Sequence, residues 1–323
     1  MSAGAAVVAL AVAVAAGAPA EPKPELAWPG HAYVAQTVQV SGHPMRYVEA
    51  GSGDPILMLH GTPTQGYLWR NVVGGVADHG RVIVPDLMGF GKSYQGPEIG
   101  YDARSQQAHF DAFMDAMDLR DITLVVNDVG SMLGLHWASR HPDRVKGIVL
   151  VEAAMLDARS WWKHLPLGMK MSIRLMKNPR RAKKFIVDRN VMIEKSLGGF
   201  GVRRELSEEE LDVYRAPFAD PEMRTRVLLP LGPAAASIRG RSESAWDSAG
   251  MVNAYADWLR DTEIPKLLLH ATPGLIAGRS AVRQAEKTFT NLESVSLGRG
   301  KHFLPEDHPD AIAEAIVKFV GRI

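Results

Sequence analysis

The stretch "LVVNDVGSMLGLHWA", residues 124–138, decides how this chain is read. An apolar run ends in the polar pair Asn127-Asp128, a glycine follows at Gly130, and the next residues are apolar at helical spacing. A strand closing on a reactive side chain and turning at once into a helix is the pattern of a nucleophile elbow, a strained turn that lifts one residue above a sheet. The same letters also allow Asp128 to cap a helix that begins near Ser131. Val126 stands where such elbows usually carry a small residue, so the stretch alone leaves both readings open.

Working outward, "PILMLHG", "RVIVPDL", "ITLVVND", "VKGIVLVEA", "PKLLLHAT" and "LESVSLG" are short, nearly unbroken apolar runs separated by helical patterns. That alternation predicts a mostly parallel sheet flanked by helices, its strands covered on both faces. It stops after Glu152 and resumes near residue 241. The residues between are rich in Trp and Met, include the basic "KNPRRAKK" and start one helix with a capped "SEEEL". We read a first core segment at 33–155, a helical cap at 156–240 and a second core segment at 241–323. The cap is expected over the carboxyl ends of the strands, where open α/β sheets bind ligands. The basic cluster Lys177–Lys184 reads as a solvated helix face.

Two further stretches bear on Asp128. "LMLHGTPTQGYLW" follows an earlier strand and directs the backbone N–H of Thr62 towards the elbow, to face that of Val129; two such donors form an oxyanion hole. "GRGKHFLPEDHP" places His302 after the last strand and a glycine-rich turn, where a general base belongs. Of 11 histidines, His60 reads as structural, and His136, His141 and His164 lie on or near helices. A histidine base needs a carboxylate to fix its tautomer. No Asp or Glu lies between Lys266 and Ala285, so the candidate is Glu152 at the end of "VKGIVLVEA". Glu152 as a simple helix-start carboxylate is the alternative, disfavoured because a lone charge ending an apolar strand is costly without a partner.

Composition narrows the function. The 37 Lys and Arg against 36 Asp and Glu give net +1, so no global field draws in nucleic acid or an anionic membrane. Zero Cys excludes disulfides, thiolate metal sites and a cysteine nucleophile. Residues 1–32 read as a signal peptide or a disordered leader: an Ala- and Val-rich run ends in Ala18-Pro19-Ala20, yet no Lys or Arg precedes it. The run falls short of the ~20 strongly apolar residues of a spanning helix, so no stable membrane insertion is expected. A cleaved signal would make the protein secreted or periplasmic; otherwise it is cytoplasmic.

The motifs "HGTPTQGYLWRNVV", "VIVPDLMGFGKS", "NDVGSMLGLHWASRHPDRVKGI", "VEAAM", "VYRAPFADPEMR" and "GKHFLPEDHPD" together resemble the haloalkane dehalogenases of the α/β-hydrolase superfamily. The coelenterazine luciferase of sea pansies is similar to the same pattern. The resemblance implies an α/β-hydrolase fold with a cap, Asp128 as nucleophile, His302 as base and Glu152 as acid. It implies water and a small apolar or halogenated organic substrate, with no metal or organic cofactor. Two positions depart from the family, which holds the halide with a Trp after the nucleophile and often an Asn after the His-Gly pair. Those places hold Val129 and Thr62. Trp161, Trp162, Tyr214, Trp246 and Phe303 are candidates to line the pocket. Two other reactions stay open: epoxide opening by the same triad, for which Tyr214 is the only tyrosine of the cap, and a non-hydrolytic enzyme or binding protein on this fold.

Overall fold

The computed structural model describes residues 25–165, 167–228 and 248–323. The leader up to residue 24 and Trp246 lie outside them. One eight-stranded sheet runs through the molecule, with neighbours in the order β1 (Ala35–Val40), β2 (His43–Ala50), β4 (Arg81–Pro85), β3 (Pro55–Leu59), β5 (Ile122–Asn127), β6 (Val145–Ala153), β7 (Lys266–Pro273) and β8 (Leu292–Gly300). β1, β2 and β4 pair antiparallel, and every pairing from β4 to β8 is parallel. Every residue of the central β5 is buried, as a strand covered by helices on both faces requires.

The six apolar runs read from the sequence are β3 to β8. β1 and β2 went unread, because β1 is the edge strand, β2 lies next to it, and in both buried and exposed residues mix without a continuous apolar run. The helices that matter for the site are α1 (Arg70–Val76), α2 (Ala103–Met117), α3 (Asp128–Arg140), α4 (Ala158–His164), α5 (Leu167–Met176), α6 (Glu208–Arg215), α7 (Ser248–Asp261), α8 (Arg279–Thr288) and α9 (Pro309–Val320). α3 leaves β5 directly and packs against β6 and α7. Among the described residues, the segment between β6 and α7 forms helices and turns and no strand. Its α6 begins with the expected capping box: the Ser207 hydroxyl accepts from the Glu210 N–H at 3.2 Å, and the Glu210 carboxylate accepts from the Ser207 N–H at 2.9 Å.

One buried charge cluster joins this helical segment to the core. Arg70, at the start of α1, donates to both carboxylate oxygens of Glu306 at 2.6 and 2.9 Å and to Glu210 at 2.6 Å. Arg204 reaches the same two carboxylates, and the Tyr214 hydroxyl donates to Glu306. Glu306 is fully buried and lies four residues after His302, so the cluster fixes the turn that carries the histidine to α1 and to α6 together.

Removing Glu306 would leave two guanidiniums and a phenol short of their shared acceptor. Breaking a buried ion pair from one side costs about 3–5 kcal/mol. Glu306→Ala is expected to lose that much unfolding free energy in a denaturant titration. A loss below about 1 kcal/mol, the range of exposed pairs, would show that water takes over these charges.

Candidate active site

The end of β5 is built to hold Asp128 in a conformation few side chains adopt. Its φ is +46°, in the left-handed region, as is that of Glu152 at +47°. The neighbouring backbone leaves no alternative space: a Cβ on Gly61 would fall 2.3 Å from the Cβ of Asp128, and one on Gly130 would fall 2.4 Å from the His60 carbonyl oxygen. Side chains then staple the elbow to β6. The Asn127 amide donates to the Val151 carbonyl at 2.9 Å; the Ser131 hydroxyl donates to the Asp128 carbonyl and accepts from the Ala154 N–H at 2.8 Å. Asp128 opens α3 without acting as its cap, and its carboxylate is directed elsewhere.

Oδ1 of Asp128 accepts from the Thr62 N–H at 3.0 Å, and Oδ2 lies 3.4 Å from Nε2 of His302. Nδ1 of the same ring lies 3.3 Å from Oε2 of Glu152. That carboxylate oxygen also accepts from the Leu275 and Ile276 N–H groups at 2.9 and 2.8 Å, so the turn after β7 supplies backbone donors where its sequence has no acid. The His302 and Phe303 N–H groups donate to the Gly201 carbonyl at 3.0 and 3.1 Å, which gives the helical segment a direct hold on the histidine turn. His60 sits below the site as a brace, its ring contacting the Gly61 carbonyl at 3.0 Å and accepting from the Leu87 N–H at 2.9 Å. Burial lowers its pKa to about 4, which keeps it neutral and structural.

Charge balance follows from these contacts. Burial alone would depress the His302 pKa, but the flanking Asp128 and Glu152 carboxylates outweigh it and raise the value to about 9. Burial pushes the Asp128 carboxyl up, and His302 with the Val129 and Thr62 N–H groups pulls it below the usual range. At neutral pH the resting site is therefore an imidazolium held between two carboxylates.

Above it lies a cavity of about 470 Å³. Asp128, His302, Thr62, Val129, Trp161 and Phe303 border it, so the structure brings the expected triad, both expected backbone donors and two of the expected pocket aromatics to one place. Two others are corrected. Tyr214 is fully buried away from the cavity, with its hydroxyl donating to the Glu306 carboxylate that Arg70 and Arg204 also hold. Trp162 does not border the cavity: like Trp161 it packs against Leu165 and Ile173, but only Trp161 reaches the cavity itself. Methionines 132, 169, 176 and 192 were not singled out from the sequence and supply much of the wall; such flexible side chains fill irregular apolar space. The Thr62 hydroxyl and the Trp161 indole N–H are buried without a hydrogen-bond partner.

A parallel sheet, an elbow at the end of its central strand and a histidine turn after its last strand define an α/β hydrolase, and a family model described as alpha/beta hydrolase fold matches residues 54–309. Within that family the chain belongs to the haloalkane dehalogenases. It is 38% identical over 280 residues to a haloalkane dehalogenase of Mesorhizobium japonicum, covering 86% of this chain and 88% of that one. With a haloalkane dehalogenase of Agrobacterium fabrum the identity is 34% over 296 residues, covering 91% and 94%. Among solved structures, haloalkane dehalogenase DatA of Agrobacterium tumefaciens superposes with a TM-score of 0.80 at 33% identity, over 90% of this chain and 97% of that one. Haloalkane dehalogenase DbeA of Bradyrhizobium elkani gives 0.82 at 34%, over 90% and 98%.

The imidazolium depends on the Asp128 charge. In a histidine-resolved NMR titration, His302 should stay protonated through neutral pH and lose its proton as pH rises towards about 9. Asp128→Asn keeps the shape and removes one of the two raising carboxylates, so the ring should lose its proton at a distinctly lower pH. Identical titrations in the two proteins would contradict the charge balance derived above.

Proposed function

We propose that this protein is an Asp-nucleophile dehalogenase that opens carbon–halogen bonds of apolar substrates through an alkyl-enzyme ester. The observation that carries the reading is the Asp128–His302–Glu152 chain beneath an apolar cavity, with the oxygen facing His302 separate from the oxygen held by Thr62. Oδ2 attacks the halogen-bearing carbon in line, the carbon–halogen bond breaks and the halide leaves with the bonding pair. The ester that forms has no charge on Asp128. His302 then has only Glu152 to hold its proton, releases it to solvent and becomes a base.

The neutral imidazole takes a proton from water, and the hydroxide adds to the Asp128 carboxyl carbon. Negative charge collects on Oδ1, where the Thr62 and Val129 N–H groups receive it. Collapse passes the His302 proton to the departing alcohol, and the carboxylic acid left on Asp128 then gives its own proton to the imidazole, which restores both the carboxylate and the imidazolium. Glu152 stabilises the imidazolium at each stage and, through its bonds to Leu275 and Ile276, keeps the ring in register.

The leaving halide needs donors, and Val129 offers none from its side chain. The unpartnered Thr62 hydroxyl and Trp161 indole N–H border the same cavity and are the donors we assign to it. Epoxide opening is less well supported, because a ring oxygen has to be protonated. Among the described residues no tyrosine borders the cavity, and Tyr255, like Tyr214, commits its hydroxyl elsewhere, to the Ala154 carbonyl at 2.6 Å. A pure binding protein would have no use for a buried imidazolium between two carboxylates.

Three variants test this reading. His302→Phe should allow attack but not hydrolysis, so a reactive bromoalkane should leave an alkyl adduct on Asp128 by intact mass; a protein as free of adduct as Asp128→Ala would exclude the covalent route. Glu152→Gln should lower turnover on the order of 10⁴-fold, as neutralising the orienting acid of a serine triad does. Trp161→Phe should reduce bromide release by ~100–1,000-fold, the cost of one preorganised donor aimed at developing charge. Unchanged release would take the indole out of the halide site.

A further inference from the structure

The cavity's outer wall carries a feature that the chemistry does not use. α5 borders the cavity through residues such as Met169, Ile173 and Met176, yet Leu167, Met171 and Leu175 on the same helix are 70%, 54% and 45% exposed. Those three recur at every fourth residue and so form one stripe along the helix. Phe200, 57% exposed, also borders the cavity, as do the exposed Gly168 and Ser172. The stripe therefore flanks the cavity mouth. Contiguous exposed apolar surface of this kind marks a contact site.

Charge is concentrated at the same place. Residues 163–184 contain eight Lys and Arg and no Asp or Glu, leaving 29 basic against 36 acidic residues in the rest of the chain. The near-zero net charge conceals this local excess. Lys183 pairs with Asp188 at 2.9 Å, whereas Lys170, Arg174, Lys177, Arg180, Arg181 and Lys184 are in no ion pair among the described residues. Lys170 and Arg174 lie 6.0 and 5.9 Å from the Trp162 ring, which puts an aromatic beside two of the cations.

We propose that α5 and the basic turn after it dock on an anionic lipid surface, with Leu167, Met171 and Leu175 in the acyl boundary and the cations on the phosphates. An apolar helix face edged by Lys and Arg, with a tryptophan beside it, is the pattern of interfacial helices. Among the described residues no helix is long and apolar enough to cross a membrane, so the contact is peripheral. A second copy of the chain would bring like charges together. A stripe one residue wide on a convex helix also suits a fluid boundary better than a packed protein interface of roughly 800 Å² a side. Docking would place the cavity mouth where apolar molecules partition.

The test is flotation of the full chain with phosphatidylcholine vesicles, with and without phosphatidylglycerol. Binding is read without turnover, so it stands or falls apart from the dehalogenase reading. The protein should float with the anionic vesicles only, and ~0.5 M salt should release it. Each cation near such a surface contributes about fivefold, so Arg180→Glu with Arg181→Glu and Lys184→Glu should weaken binding at least ~100-fold. Leu167→Ser with Met171→Ser and Leu175→Ser should weaken it at least ~10-fold. Bromide release from a water-soluble bromoalkane should be unchanged in both. Equal flotation with neutral vesicles, no flotation, or variants that float like the unaltered chain would overturn the proposal. So would a dimer in solution that the serine variant dissolves. If the serine variant does not fold, the charge variant, confined to exposed side chains, decides the matter.

Discussion

A protonated imidazole buried between two carboxylates is the arrangement on which the rest of this site depends. An ion taken out of water survives only when its partners hold it closely, and His302 has one on each ring nitrogen. Each partner must then be held in turn. Asp128 is fixed by a left-handed backbone that Gly61 and Gly130 make possible, and by the Asn127 and Ser131 staples to β6. Glu152 is fixed by two backbone N–H groups from the turn after β7. Four separate chain segments thus converge on one ring, and a parallel sheet with its strand ends side by side makes that convergence possible.

The same charge balance accounts for the order of events we propose. A base that is protonated at rest is useless until something lowers its proton affinity, and alkylation of Asp128 does so by removing one of its two anions. The charge that drives the first step is the charge whose loss enables the second. The Arg70–Glu306–Tyr214 cluster supports this from behind, because Glu306 is on the turn that carries His302 while Tyr214 and Arg204 come from the helical segment. Together with the Gly201 carbonyl it couples the position of that segment to the position of the ring.

Much of this was legible in the sequence, for identifiable reasons. Asp128 and Glu152 were readable because each ends an apolar run that forms a buried strand, His302 because it follows the last strand and a glycine-rich turn, and Glu152 also because the loop after β7 lacks an acid. The central strands were readable for the same reason, whereas β1 and β2 mix exposed and buried positions. What stayed hidden depends on contacts between residues far apart in the chain. Glu306 meets Arg70 across 236 positions, and nothing local marks either as buried. Trp161 and Trp162 look equivalent as letters, and only the rotation of α4 turns one to the cavity. Tyr214 looked like a pocket donor because its type fits that task, but its hydroxyl was already engaged by a carboxylate that the sequence could not place beside it.

The central claim is that Asp128, and not a water molecule activated by His302, makes the first bond to substrate carbon. A single turnover in heavy-oxygen water, with enzyme in excess over a bromoalkane, distinguishes the two. Attack by Asp128 predicts that the alcohol carries ordinary oxygen taken from the carboxylate, and that the heavy label appears in the peptide containing Asp128. Heavy oxygen in the alcohol from the first turnover, with an unlabelled Asp128, would contradict the account.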